Sequence, residues 1–135
     1  MVMVSTRGRY ALRIMIDLSE NGGNGYTAMK TIAQRQEISL KYLEKILPLL
    51  VKANMVEGVS GKGGGYKLTQ KPEEYRVGDI LRVTEGDLAP VACLECNAEE
   101  CQRKDTCRTL PMWIELDRRI NDYLDSVTLK DLINE

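Results

Sequence analysis

Thr27-Ala28-Met29-Lys30-Thr31-Ile32-Ala33-Gln34-Arg35-Gln36-Glu37-Ile38-Ser39-Leu40-Lys41-Tyr42-Leu43-Glu44-Lys45-Ile46-Leu47-Pro48-Leu49-Leu50 holds two helical patterns with almost nothing between them. Thr27 can cap a short helix that contains Met29, Ile32 and Ala33. After the break at Gln36-Glu37-Ile38, Ser39 can cap a second, which sets Leu40, Leu43, Ile46, Leu47 and Leu50 on one stripe. Two short helices joined so tightly read as a helix-turn-helix. Pro48 lacks the N–H that would bond to the Glu44 carbonyl, so the sequence predicts a kink or an end there. Residues 39–47 are then the part that would reach base edges.

Working outward, Ser5-Thr6 can cap a first helix in which Tyr10, Leu12, Met15 and Ile16 recur at helical spacing, with Arg7, Arg9 and Arg13 near its start. Asn21-Gly22-Gly23-Asn24-Gly25 is a loop. Downstream, strands are expected at about Met55–Val59 and Tyr66–Thr69, joined by Ser60-Gly61-Lys62-Gly63-Gly64-Gly65. The glycines allow close backbone approach to another surface, and the G-x-x-x-x-G-K-[ST] phosphate loop is not completed. Helix-turn-helix plus basic hairpin is the winged-helix plan. A short helix over Val77–Glu85, a polar cysteine-bearing loop from Gly86 to Thr109 and a long helix opening around Pro111 complete the pattern. That helix carries Trp113, Leu116, Ile120, Tyr123, Leu124 and Val127, and is acidic elsewhere through Glu115, Asp117, Asp122 and Asp125. Its apolar stripe either packs on its own domain or forms a two-fold dimer seam. Thr128 can cap a final short helix. The expected fold is mainly α with a small β-hairpin wing. A winged helix-turn-helix domain spans 1–75, and a connecting helix, a cysteine-rich loop (about 91–109) and a dimerisation helix span 76–135.

The 135 residues include 19 Lys+Arg and 20 Asp+Glu, yet charge is unevenly spread. Residues 1–71 hold 11 basic against 5 acidic side chains, a net +6, and residues 72–135 hold 8 against 15, a net −7. The first part suits a polyanionic partner. Without a histidine the chain has no Ser-His-Asp or Cys-His nucleophilic machinery, and no nucleophile paired with a base is visible, so an enzyme is not expected. The sequence shows no apolar run of membrane-spanning length and a start too short for a secretory signal; a cytoplasmic protein with no membrane role is expected.

All four cysteines, Cys93, Cys96, Cys101 and Cys107, fall within fifteen positions in the spacing C-x2-C-x4-C-x5-C. Clustered in a polar loop, they are not core residues, and in a reducing compartment disulfides are not expected. Four thiolates can hold zinc tetrahedrally, though paired C-x2-C knuckles with a longer spacer are the usual arrangement. Iron–sulfur clusters accept irregular loop spacing. The spacing places a cluster ahead of zinc, with redox-active thiols third.

Ser5-Thr6-Arg7-Gly8-Arg9-Tyr10-Ala11-Leu12, Ile38-Ser39-Leu40-Lys41-Tyr42-Leu43-Glu44 and Gly61-Lys62-Gly63-Gly64-Gly65-Tyr66 resemble the IscR, NsrR and CymR family of bacterial winged-helix transcription regulators. The cysteine loop, Trp113 and Val127-Thr128-Leu129 extend the resemblance over essentially the whole chain. It implies a homodimer on double-stranded, palindromic promoter DNA, answering to iron–sulfur status, nitric oxide or sulfur supply. The IscR-like branch implies a 2Fe–2S cluster on three cysteines and one other ligand: Cys101 and Cys107 match the second and third cysteines, and Cys93 or Cys96 the first. The histidine ligand of that branch would fall at Leu110, so the fourth ligand differs here. Cys96 or a carboxylate of the partner subunit are the alternatives, and 4Fe–4S stays open. Ser60 stands where IscR-like wings carry an arginine, with Lys62 near it. Expected DNA-binding residues are Arg7, Arg9, Lys30, Ser39, Lys41, Tyr42, Glu44, Lys45, Ser60, Lys62, Gly63 and Gly64, with Lys52 and Lys67 as further phosphate contacts. A cluster-free, CymR-like thiol or partner sensor of cysteine metabolism and a zinc-stabilised DNA-binding module are the alternatives.

Overall fold

Ser5 starts the first helix as its side chain requires: the hydroxyl oxygen accepts the Gly8 amide at 3.1 Å, and α1 runs over Thr6–Asn21. A computed structural model describes residues 4–23, 25–91, 94 and 107–133. The remaining elements are α2 (Met29–Gln36), α3 (Leu40–Lys52), β1 (Val56–Val59), β2 (Gly65–Leu68), α4 (Val77–Glu85), α5 (Leu110–Ser126) and α6 (Leu129–Ile133), with a 3-10 turn at Pro72–Glu74. β1 and β2 form a two-stranded antiparallel hairpin in which Val56 faces Leu68 and Val59 faces Gly65. The mainly helical fold with a β wing is the one the sequence predicts.

One buried cluster joins Ala11, Ile14, Met15 and Leu18 of α1, Ile32 of α2, Leu43, Ile46, Leu47 and Leu50 of α3, and Val56 of β1. Tyr75, Ile80 and Leu129 belong to it too, so α4 and α6 close over the helix-turn-helix. Backbone bonds reinforce this: Val77 N–H donates to Val127 O (2.8 Å) and Leu129 N–H to Tyr75 O (2.9 Å). A smaller cluster of Val77, Leu81 and Leu88 receives Ile120, Leu124 and Val127 from the α5 side. The Tyr75 hydroxyl donates to Met55 O at 2.8 Å and accepts the Thr69 and Gln70 amides, each at 3.0 Å, which pins the base of the wing.

One local expectation is corrected, and of the kink or end expected at Pro48 the end is removed. Thr27 does not cap α2. Its N–H and C=O both bond to Tyr66 (2.8 Å each), so it lies beside β2 as an extra bridge, and Ala28 takes the cap position without a side-chain bond. Pro48 does not end α3, which continues to Lys52. Pro48 sits on the exposed side, and burial of Leu47 and Leu50 opposite it holds the helix through the missing bond.

Candidate nucleic-acid interface and cysteine loop

The turn between α2 and α3 is fixed by a carboxylate placed inside the core. Asp17 is fully buried and accepts two bonds from Arg35 (2.8 and 3.1 Å) and one from Gln36 Nε2 (2.9 Å). Arg13 donates through Nη2 to the Gln36 carbonyl, and its guanidinium lies 5.2 Å from the Tyr10 ring centre. Tyr10 in turn meets Tyr42 edge-on, centroids 5.1 Å apart. The bidentate geometry suits a planar guanidinium and satisfies a charge that burial would otherwise penalise.

Ser39 caps α3 as expected, its Oγ accepting the Tyr42 amide at 3.1 Å. Lys41, Glu44 and Lys45 are exposed and Tyr42 is half-buried. Leu40 departs from its expected place on the core stripe: it is 43 % exposed, whereas Leu43, Ile46, Leu47 and Leu50 are fully buried. As the residue next to the cap it projects past the end of the core, a position that helical periodicity does not reveal. A cleft lined by Ser5, Arg7, Tyr42 and Lys45 joins the start of α1 to α3. Arg7 remains exposed but gives one N–H to Thr84 O at 3.0 Å, and Arg9 gives one to Thr6 Oγ1 at 3.2 Å. Lys30 is exposed in the first turn of α2, and Lys52 is exposed at the end of α3.

In the wing, Ser60, Lys62 and Gly63 are exposed and Gly64 is half-buried. Gly64 and Gly65 are needed for fit. A Cβ on Gly64 would meet Val59 O at 2.2 Å, and one on Gly65, whose φ is 148°, would meet Thr27 O at 2.3 Å. The wing therefore lies hard against the start of α2, and a second cleft is lined by Tyr26, Thr27, Thr31, Arg35, Gly63 and Gly64. Lys67 lies 3.9 Å from Glu57 and 4.9 Å from the Tyr26 ring centre. The Tyr26 hydroxyl donates to Glu57, and this bond to the carboxylate raises the phenol above its ordinary range.

Cys93, Cys96 and Cys101 lie outside the described residues; Cys107 is half-buried just before α5, its Sγ 3.4 Å from Thr109 Oγ1. The helices before and after this segment are tied by side chains that sequence reading missed. Arg82 of α4 makes a bidentate contact with Asp125 of α5 (2.8 and 3.1 Å) and donates to Asn121 Oδ1 at 2.7 Å. That bond holds the Asp125 carboxyl below the usual carboxylate range. Gly78 makes the crossing possible, since a Cβ there would meet Asp125 Oδ1 at 2.1 Å. One turn further along α4, Ser5 donates its N–H (3.2 Å) and its hydroxyl to Glu85 Oε1. The last turn before the loop is thus tied to the start of α1. The partners stand 43 and 80 positions apart, so the sequence gave no local signal for either tie.

The long-helix stripe is divided. Ile120, Leu124 and Val127 pack toward α4, while Tyr123 (67 % exposed), Met112 (53 %) and Leu116 (40 %) face outward. Glu115 on another face binds Arg118 and Arg119, which lower its carboxyl to about 2. Among the described residues no helix is long and apolar enough to cross a membrane.

A capped, exposed helix in a helix-turn-helix, with a hairpin wing braced against it, defines the winged-helix transcription regulators. The chain belongs to the Rrf2 family, whose model, described as an iron-dependent transcriptional regulator, matches residues 4–135. It is 40 % identical to the HTH-type transcriptional regulator CymR of Bacillus subtilis, over 96 % of this chain and 88 % of that protein. It is 35 % identical to the HTH-type transcriptional regulator IscR of Pectobacterium atrosepticum, over 97 % and 79 %. Among solved structures, CymR (YrzC), the global cysteine regulator of B. subtilis, superposes with a TM-score of 0.78, covering 98 % of this chain and 97 % of that one at 40 % identity. T. potens IscR gives 0.76, covering 98 % and 86 % at 36 % identity. The chain is accordingly a transcription regulator of a DNA-binding family and not an enzyme.

Proposed function

We propose that this regulator acts as a homodimer on palindromic promoter DNA, that an iron–sulfur cluster on Cys93, Cys96, Cys101 and Cys107 controls its binding, and that its targets serve iron–sulfur assembly or sulfur metabolism. The observation that carries the DNA-reading part is the first turn of α3. It is capped by Ser39, backed by a fully buried stripe and leaves Lys41, Glu44 and Lys45 exposed. A helix so presented fits the major groove. Arg7, Arg9, Lys30, Lys45, Lys52 and Lys62 would contribute phosphate contacts, and the wing at Ser60, Gly63 and Gly64 would approach the backbone closely. Lys67 is less available to phosphate, with Glu57 already beside it. A natural division follows the charge: residues 1–75 read, and residues 76–135 sense and pair.

The donor set fits an iron–sulfur cluster. Four thiols fall within fifteen positions of the sequence, the sequence contains no imidazole, and Cys107 stands at the mouth of α5. Bound there, a cluster, most simply 2Fe–2S, would supply a centre sensitive to oxidation and to nitric oxide. Arg82 and Asp125 hold the helices at both ends of the loop, and Glu85 with Ser5 passes any displacement of α4 to the reading head. Cluster control requires that the loaded loop favour one arrangement of the two heads over another. The second reading, a cluster-free regulator of cysteine metabolism, draws on the 40 % identity to CymR. Four cysteines within fifteen positions favour the cluster over it. Anaerobic purification followed by iron, sulfide and zinc analysis separates them, with a Cys101→Ala/Cys107→Ala variant compared on the same promoter fragments. Coloured protein with iron and sulfide, and a changed binding pattern in the variant, is expected. Colourless protein with unchanged binding would leave the cluster-free reading, and stoichiometric zinc the zinc-stabilised one.

A further inference from the structure

We infer that Leu40 determines specificity: its side chain meets the 5-methyl group of a thymine in the major groove. The inference rests on the DNA-reading role proposed for α3. Leu40 is 43 % exposed although it occupies the phase of a core stripe whose other members, Leu43, Ile46, Leu47 and Leu50, are fully buried. It is the first residue after the Ser39 cap, so it stands at the end of the helix that enters a groove first. Glu44 lies one turn along the same flank, and Ser39 and Lys41 beside it are exposed as well.

Around Leu40 the exposed side chains are polar, which makes this leucine the apolar element of the turn. The thymine methyl is the apolar feature of the base edges in the major groove; the other positions are hydrogen-bond donors and acceptors. An isobutyl group set against a methyl excludes water at no polar cost. Set against a cytosine amino group, it leaves that donor unpaired. One helical turn is roughly 5.4 Å and one base step about 3.4 Å. The thymine should therefore lie one or two base pairs from the pair that Glu44 meets.

The test uses the full chain and a randomised duplex library, from which the preferred site is selected. Each thymine of that site is then replaced singly by deoxyuridine, which removes the methyl group and nothing else. One thymine per half-site should lose about three- to fivefold in affinity, the worth of one buried methyl. Leu40→Ala, at an exposed helical position where alanine keeps the fold, should bind the thymine and uracil duplexes equally and select no thymine there. Deoxyuridine without effect at every thymine, or a Leu40→Ala protein that keeps the same preference, overturns the inference while leaving α3 as the reading helix. A wild-type chain that selects no sequence at all overturns the DNA-reading role itself.

Discussion

At the scale of single residues, the charge that matters most to the fold is the one inside it. Asp17 is enclosed on the inner face of α1, and its partner Arg35 keeps its side chain 36 % exposed while closing on the carboxylate. Removing the guanidinium would leave a buried carboxylate with Gln36 as its remaining side-chain donor. Arg35→Ala should therefore cost about 2–4 kcal/mol, somewhat under the roughly 3–5 kcal/mol for breaking a buried pair because Arg35 reaches solvent; urea unfolding measures it. Glu44 calls for a different readout. Its exposed carboxylate can accept from a cytosine amino group, so Glu44→Ala should change which duplexes are selected more than it lowers affinity overall. Binding titrations on a panel of single-base variants test this, and an equal loss on every duplex would contradict it. Ser39 and Glu44 were legible in the sequence because capping and helical phase are local. Arg35 and Asp17 were not, since nothing in an eighteen-residue separation marks them as neighbours.

Between elements, the contact that ties α4 to α5 is Arg82 with Asp125. Both side chains are 28 % exposed, so the pair should contribute about 1 kcal/mol. Asp125 titrates below its ordinary value in the folded chain because Arg82 hydrogen-bonds to it. The unfolded chain then takes up its proton first as the pH falls. The stabilisation is complete above the unfolded carboxyl value of about 3.9 and disappears as the pH drops through the lower folded value. The stability difference between wild type and Asp125→Asn should be full at neutral pH and shrink below about pH 4. Chemical denaturation across that interval gives the curve, and a difference constant down to strongly acid conditions would exclude the pair as its source. The end of α4 at Gly86 and the opening of α5 near Pro111 were readable from the glycine and the proline themselves. That Thr27 joins β2 instead of capping α2 was not, because its partner Tyr66 belongs to the wing.

For the molecule as a whole, α5 presents two faces. Ile120 and Leu124 close the small core over α4, and Tyr123, Met112 and Leu116 are left in water. A row of large exposed apolar side chains one to two turns apart suits a second copy of the same helix. Tyr123→Asp combined with Leu116→Asp should shift the proposed dimer to monomer in sedimentation velocity. The same variant should lose affinity for a two-half-site duplex far more than for a single half-site. Unchanged sedimentation would place the pairing surface elsewhere. On the proposed DNA-binding role, the acidic charge of residues 72–135 should keep this part off DNA, and the +6 of residues 1–71 should make binding fall steeply with salt.

The sequence alone determined the elements and their order: caps at Ser5, Ser39 and Thr128, the stripe through Leu43–Leu50, the glycine-rich wing and the four-cysteine loop are written in short-range spacing. It also delivered the family, through motifs that recur in the right order. The tertiary structure decided which side of each element is used. Leu40 faces out because the core ends beneath the next turn, Pro48 is tolerated because the buried face opposite it carries the helix, and the α5 stripe divides because α4 covers half of it. Each of these depends on a surface contributed by a distant segment, and periodicity within one segment carries no information about that surface.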